Sequence, residues 1–257
     1  MTDGGSPVVM IENPEGSGSF VILCDHASNR IPQGFESFAF DPALLDTHIA
    51  WDPGALGVAR HLSARLDAPL IWPDVSRLII DCNRPADAPS LIVLETEQGP
   101  VNANCGLSEQ ERRRRLERIH APYHAAIDAC LKRRAEAGRA TALVAVHSFT
   151  PVFFGKNRPW QVGVVFADDR RLADFLIREL RSDPELTVGI NEPYSPADQV
   201  YYTVERHAGP RHLLAAMIEI RNDEIASMAG QRRWADRLAG ILTAAERSLA
   251  GASHAAV

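Results

Sequence analysis

The sequence predicts a single-domain, three-layer α/β/α fold around a mixed central sheet. Short apolar runs at Phe20-Val21-Ile22-Leu23-Cys24, Ala142-Leu143-Val144-Ala145-Val146 and Ala215-Ala216-Met217-Ile218 suit strands covered on both faces. Each run stops abruptly in polar residues: Asp25-His26-Ala27-Ser28-Asn29, His147-Ser148 and Glu219. Segments of helical periodicity lie between them. At 257 residues and 46% hydrophobic content, the chain has enough material for one sizeable core.

In chain order, residues 1–18 are rich in Gly, Ser, Pro and Glu and read as a mobile entry segment ahead of one domain over 19–250. After the first strand, one helical turn is expected near Pro42-Ala43-Leu44-Leu45. A helix follows, with Asp52 as N-cap, Pro53 at its first position and Leu56, Ala59, Leu62 and Leu66 at helical spacing. Pro69–Pro73 and Arg77–Cys82 read as two short strands, and the loop from Ala86 to Gly106 is long enough to suggest a function. Ser108-Glu109-Gln110-Glu111 is a capping box that opens the longest helix, to about Ala137. Within it, Arg112–Arg115 is flanked by Glu109, Glu111 and Glu117 and reads as a solvated face. His120 and His124, four apart without an intervening Glu, read as structural. A strand over Val162–Phe166, a helix from Asp168 through Leu180 and a short strand over Leu186–Ile190 come next. The polar block 191–211 precedes the Glu219 strand and can roof a site. A helix from about Met228 to Leu249 and a small-residue tail over 251–257 close the chain.

The net charge of −6 lacks the basic excess that announces a nucleic-acid or phospholipid partner. No apolar run approaches membrane-spanning length, and the start lacks the pattern of a signal peptide, so a cytoplasmic setting is expected. The four cysteines are widely spaced without a Cys-x-x-Cys pair, which argues against a zinc knuckle or a disulfide framework. The sequence leaves homo-oligomerisation open.

Strand ends at the carboxyl edge of an open α/β sheet are where connecting loops converge on ligands. A lone histidine there is more often a hydrogen-bonded structural residue than a ligand. A glutamate inside an apolar strand is harder to set aside, because a buried carboxylate requires a cation or donors. A hydrolytic zinc site needs three protein ligands, an open position and a base. His26 and His147 supply two ligands and Glu219 the general base. For the third, Asp52 is preferred, with Asp25 behind it. Asn29 is a neutral amide and a poor zinc ligand, and Asp52 serves equally as a helix cap. Asn83-Arg84 ahead of Pro85 makes a natural carboxylate clamp.

His26-Ala27-Ser28-Asn29-Arg30-Ile31-Pro32, Asp81-Cys82-Asn83-Arg84-Pro85, Ala121-Pro122-Tyr123-His124, His147-Ser148, Arg206-His207-Ala208-Gly209-Pro210 and Glu219, in this order over roughly residues 20–240, resemble the N-formylglutamate amidohydrolases. That family is similar in fold to the zinc carboxypeptidases and aspartoacylases. The resemblance implies one zinc ion on His26 and His147, Glu219 as base and then proton donor, and Asn83 with Arg84 on a substrate carboxylate. It further implies Arg206 for a second carboxylate, with His207 and Asn29 among the substrate-binding positions. The substrate it implies is a small anionic N-acyl amino acid. The sequence departs from the carboxypeptidase pattern at Asn29. It also departs from the better-known formylglutamate enzymes by writing Asp25-His26-Ala27 where they carry a Pro and a small polar residue. Two rival readings remain: a related zinc peptidase or acylamino-acid amidase, and a metal-free binding protein for a small dicarboxylate.

Overall fold

The computed structural model describes residues 7–254 apart from residue 39, without the side chains of residues 37 and 249–254. Seven strands form its central sheet: β1 (Val9–Glu12), β2 (Phe20–Leu23), β3 (Leu70–Pro73), β4 (Ala142–Phe149), β5 (Val162–Val165), β6 (Val188–Ile190) and β7 (Leu214–Arg221). Their spatial order is β1-β3-β2-β4-β7-β5-β6. Strands β3, β2, β4 and β7 run parallel, β1 lies antiparallel on β3, and the parallel pair β5 and β6 runs antiparallel to β7. The sheet is therefore mixed, as expected.

Both faces are covered because both faces of the central strands are apolar. Ile22, Val144, Val164 and Ile218 meet helices α1 (Ala55–Leu66), α3 (Arg171–Arg181) and α5 (Met228–His254) on one side. Val21, Leu23, Ala145 and Met217 meet α2 and α4 (Tyr202–Ala208) on the other. Helix α2 is one long rod in three pieces, Glu109–Arg115, a wider π-type turn at Leu116–His120, and Ala121–Glu136. Only half of the expected capping box forms: Glu111 N–H donates to Ser108 Oγ at 3.2 Å, while the Glu111 carboxylate accepts from Arg114 and Arg115 instead.

Several expectations are corrected. The entry segment contributes β1, so residues 9–12 are an edge strand, while residues 1–6 lie outside the described ones. Asp52 does not cap α1. That helix starts after Gly54, at φ 84°, where an added Cβ would collide with the Ile225 carbonyl, and the Asp52 carboxylate is free for other work. Leu78–Cys82 is buried, but Arg77–Cys82 is not a strand. Its carbonyls are met by side chains: Ile79 O accepts from Arg115 Nη1 at 2.8 Å and Leu78 O from Asn104 Nδ2 at 2.8 Å. This also corrects the basic run, because Arg115 is fully buried and Arg112 and Arg114 donate to the carbonyls of Ala88 and Gly34. The arginines are tethers for irregular chain. Of the expected tail, only the helical backbone to His254 is described. No helix among the described residues is long and apolar enough to cross a membrane.

Gly163 on β5 faces Glu219 on β7, and a Cβ there would sit inside the Glu192 carbonyl. Gly163→Ala should therefore cost about 1–3 kcal/mol, as other over-packed positions do, read as a lowered melting temperature. An unchanged melting temperature would show that the 191–193 turn yields freely.

Candidate active site

The sheet register sets three strand ends at one level. Glu219 pairs with His147 across β7 and β4, and Leu23 pairs with Ala145 across β2 and β4. With a side-chain period of two, Met217 and Glu219, Ala145 and His147, and Leu23 and Asp25 share the face beneath α2. Beyond β2 the chain turns, and the Asp52 N–H donates to the His26 carbonyl at 2.8 Å. That bond brings the start of α1 back against the strand end.

Each imidazole is backed by a buried acid. His26 Nε2 lies 2.7 Å from Asp81 Oδ1, and His147 Nε2 lies 2.9 Å from Asp25 Oδ2. The acids are held in turn. Asp81 accepts from the Asn83 N–H at 2.8 Å, and Asp25 accepts from the Tyr123 hydroxyl at 2.9 Å and the Thr203 hydroxyl at 2.7 Å. A carboxylate behind one ring nitrogen fixes that nitrogen as the N–H donor and frees the other as a ligand. Both freed Nδ1 atoms face Asp52 Oδ2, at 3.5 Å from His26 and 2.9 Å from His147.

These residues fit a divalent cation. His26, Asp52 and His147 each offer one ligand atom, all within 4.8 Å of one another and all buried. Two imidazoles and a carboxylate form a donor set suited to zinc. Asp52 Oδ1 has no hydrogen-bond partner among the described residues, although Arg77 Nη2 stands 2.9 Å away as an ion pair off the hydrogen-bond axis. Arg77 also reaches His26 Nδ1 with Nη1 at 3.1 Å, while its other nitrogens donate to the carbonyls of Ile49 and Trp51.

Electrostatics follow from burial and charge. Burial alone would lift Asp52, but Arg77 and His26 beside it hold its carboxyl well below the usual range. Burial likewise opposes ionisation of Asp81 and Asp25, which the facing histidines overcome. Burial disfavours a charged His147, yet its bonds to Asp25 and Asp52 raise its pKa well above the ordinary value. Glu219 behaves differently. Desolvation pushes its pKa from 4.5 up to about 7, His147 pulls it down, and Asp52 adds to the rise. Its Oε2 is buried and has no hydrogen-bond partner among the described residues. An acid with spare hydrogen-bonding capacity and a pKa near neutrality is poised for proton transfer.

All of this opens into a cleft of about 540 Å³, lined by His26, Asp52, Arg77, His147 and Glu219 and walled by Phe149, Phe153 and Tyr194. Of the expected substrate-binding residues, Asn83 and Arg84 line it. The Asn83 amide is already engaged, donating to Val200 O and accepting from Thr203 N at 2.9 Å, so it braces the 200–203 segment. Arg84 donates to the carbonyls of Asn83 and Gln199 at 2.9 and 3.1 Å.

Three expected residues fall outside the cleft lining. Asn29 turns its amide to the Leu45 carbonyl at 2.9 Å, so it is neither ligand nor substrate contact. Arg206 is exposed on α4 and holds the Tyr202 hydroxyl at 2.6 Å. His207 is buried behind the wall, where its Nδ1 lies 3.0 Å from Asp128 Oδ1 and its Nε2 2.9 Å from His124 Nδ1. His124 Nε2 in turn lies 3.0 Å from the Cys82 carbonyl, and His120 Nε2 lies 2.9 Å from the Arg84 carbonyl. Burial, with His120 and His207 nearby, drives the His124 pKa down to about 3, so this ring is neutral. His120 and His124 are thus structural, as expected: they brace the Cys82–Arg84 loop.

Sequence reasoning missed Arg77 and Asp81. Asp81 ends a buried apolar run just as Glu219 does, which was a usable signal. Arg77 had none, because nothing local marks an arginine that neutralises an acid 25 residues upstream.

Fold and cleft together define an enzyme of the open α/β type, with its polar cluster at the carboxyl edge of the sheet. The profile of the N-formylglutamate amidohydrolases matches residues 18–226, and the chain belongs to that family of hydrolases, which cleave linear C–N amide bonds. A crystal structure of a gene product from Agrobacterium tumefaciens is 38% identical, with a TM-score of 0.92 over 95% of this chain and 96% of that one. The N-formylglutamate amidohydrolase from Ralstonia eutropha JMP134 shares the fold at 20% identity, with a TM-score of 0.65 over 96% of this chain and all of that one (100%). No curated protein matches the chain in sequence.

Two outcomes test the site. Asp81→Ala removes the acceptor that orients His26 and should weaken the affinity for added zinc about 10- to 100-fold, measured by competition with a chromogenic chelator; unchanged affinity would show that His26 needs no such support. Glu219 binds its proton more tightly folded than unfolded, so native stability falls as pH rises from 4.5 to about 7. Glu219→Gln should therefore stabilise chelator-treated protein at pH 8, by on the order of 3 kcal/mol, and have little effect at pH 4. Equal melting shifts at both pH values would contradict the desolvated acid.

Proposed function

We propose that the chain is a zinc-dependent amidohydrolase that cleaves the formamide of N-formyl-L-glutamate, or of a closely similar N-acyl amino acid, to release the acid and the free amino acid. The observation that carries this reading is the convergence of His26 Nδ1, Asp52 and His147 Nδ1 beside the unpartnered Glu219 Oε2 in one cleft. The family match supports the substrate class.

His26, Asp52 and His147 would hold the cation. A divalent ion in that place supplies positive charge that polarises the amide carbonyl and acidifies an adjacent water. The proton work belongs to Glu219. Its carboxylate accepts the proton of the attacking water and returns it to the departing nitrogen, so that the amine leaves neutral. Desolvation raises the Glu219 pKa in the metal-free chain, which favours return of the proton, while a cation held beside it would favour the carboxylate that accepts it. Arg84 on the cleft wall meets a substrate carboxylate, and Phe149 and Phe153 exclude bulk water. The free thiols of Cys24, Cys82, Cys105 and Cys130 support a reducing, cytoplasmic setting.

Glu219→Gln should lower kcat about 10²- to 10⁴-fold while stoichiometric zinc is retained; near-normal turnover would remove Glu219 from the mechanism. One observation favours a second reading, a metal-free binder of small dicarboxylates: Arg77 forms an ion pair with Asp52 at 2.9 Å, so the chain itself supplies a charge that neutralises this acid. Chelator dialysis separates the two. Turnover lost on dialysis and restored by zinc supports the hydrolase, whereas dicarboxylate binding with no turnover under either condition supports the binder.

A further inference from the structure

Glu219 takes and returns protons, but the acyl oxygen, which gains negative charge during amide hydrolysis, needs a donor of its own, and the sheet aims one at this spot. Gly163 on β5 stands opposite Glu219 in an antiparallel pair, so the two positions share one face. Gly189 on β6 pairs with Gly163 and widens the bare strip. The Glu192–Pro193 turn rests on that strip, where a Cβ on either glycine would collide with the Glu192 carbonyl. Asn191 anchors the turn: its N–H donates to the Val164 carbonyl at 3.0 Å, and its Oδ1 accepts from the Phe166 N–H at 3.0 Å. The next residue, half-buried Tyr194, is thereby delivered beside Glu219, and both line the cleft.

Tyr194 is held from behind. The buried Arg158 guanidinium lies 4.7 Å from its ring centroid and 4.3 Å from that of Phe153, and it is a hydrogen-bond partner of the Tyr194 hydroxyl. A guanidinium only donates, so the phenol oxygen accepts and its hydrogen is left for another acceptor. No described residue takes that hydrogen. Neighbouring donors on the cleft wall are committed instead. The Ser148 and Thr96 hydroxyls donate to the Pro53 and Gly99 carbonyls at 3.0 and 3.1 Å, and the Asn83 amide donates to the Val200 carbonyl. Arg77 divides its nitrogens among Asp52, His26 and the carbonyls of Ile49 and Trp51. Burial pushes the Tyr194 phenol up from its ordinary pKa and the Glu219 charge adds to the rise, while Arg158 opposes it, so the hydroxyl keeps its hydrogen at neutral pH. Among the charges around the phenol, Glu219 acts most strongly, which fits neighbours on one face.

We propose that Tyr194 is a catalytic residue of the amide hydrolysis, donating a hydrogen bond from its hydroxyl to the acyl oxygen of the substrate as that oxygen becomes an oxyanion. The inference rests on the amidohydrolase reading above and adds the group that meets the developing charge. In the step concerned, the water oxygen bonds to the acyl carbon, Glu219 takes the water's proton, and the carbonyl π pair moves onto the acyl oxygen. When the C–N bond breaks, that pair re-forms the carbonyl, the bond pair leaves on nitrogen, and nitrogen receives the proton from Glu219. Tyr194 keeps its own proton throughout. Its hydrogen bond strengthens as the acceptor gains charge, so it favours the transition state over the bound substrate. The Arg158 contact at the phenol oxygen polarises the hydroxyl and sharpens this response.

The test compares Tyr194→Phe with the wild-type zinc enzyme on N-formyl-L-glutamate, with zinc content and melting curves as checks on the fold. The variant's kcat should fall about 10²- to 10³-fold with KM little changed. Binding of a phosphonamidate analogue, whose tetrahedral phosphorus replaces the acyl carbon, should weaken by a similar factor in calorimetry. A folded, zinc-loaded variant with near-normal kcat, one altered in KM alone, or one whose analogue binding is unchanged would overturn the proposal. Should the variant fail to fold, a crystal structure of the wild type with the phosphonamidate decides: a phosphonyl oxygen accepting from the Tyr194 hydroxyl is expected, and a hydroxyl turned away from that group overturns it. A wild type that hydrolyses no N-acyl amino acid instead overturns the amidohydrolase reading beneath, so the two failures remain distinguishable.

Discussion

An ionised carboxylate at the floor of a cleft must be matched by positive charge, and Asp52 is where the whole molecule meets that requirement. It is 1% exposed, and around it converge His147 Nδ1, His26 Nδ1 and the Arg77 guanidinium. Each of these groups belongs to a different part of the chain, so the balance exists only in the folded state. Removing one partner strands the remaining charge, which is far more costly than losing an exposed salt bridge. The same cluster that makes Asp52 tolerable offers a cation three ligand atoms. Stability and chemistry thus draw on a single arrangement.

Its precision comes from the sheet. Parallel pairing of β2, β4 and β7 fixes Asp25, His147 and Glu219 at one height on one face, and helices above and below leave the strands no freedom to slip register. The supporting acids Asp25 and Asp81 are anchored from the opposite side by Tyr123 on α2, Thr203 on α4 and the Cys82–Arg84 turn. Behind that turn, the imidazoles of His120 and His124 hold the carbonyls of Arg84 and Cys82, at its two ends. A residue far from the cleft, Asp128, joins the same chain through His207. Glu219 alone receives no such support, and its unsatisfied oxygen and elevated pKa set it apart from the three ionised acids nearby.

Much of this was legible in the sequence for a simple reason. Strand ends reveal themselves where apolar runs break, and His26, His147 and Glu219 all stand at such breaks, so pattern alone found them. Asp52 is preferred over Asp25 as third ligand from sequence but reads equally as a helix cap, because a Gly with positive φ is needed to see that α1 begins two residues later than Pro53. What stayed hidden sits in irregular chain. Arg77 and Asp81 act across 25 and 55 residues, on Asp52 and His26, and no periodicity records such distances. The Arg206-His207 pair illustrates the opposite failure. Adjacent residues on a helix point about 100° apart, so one faces solvent and the other the interior, and neither faces the cleft. The run Arg112–Arg115 was equally opaque, since a carbonyl-binding arginine and a solvated one look alike until the loop they hold is seen.

The central claim is that His26, Asp52 and His147 hold one divalent cation through two Nδ1 atoms and a carboxylate. An anomalous difference map from crystals equilibrated with zinc and measured at the zinc absorption edge tests it most directly. The account predicts one strong peak bounded by His26 Nδ1, Asp52 and His147 Nδ1, with both Nε2 atoms still bonded to Asp81 and Asp25. A map without a peak there, with Arg77 still closing on Asp52 and His26, would contradict it.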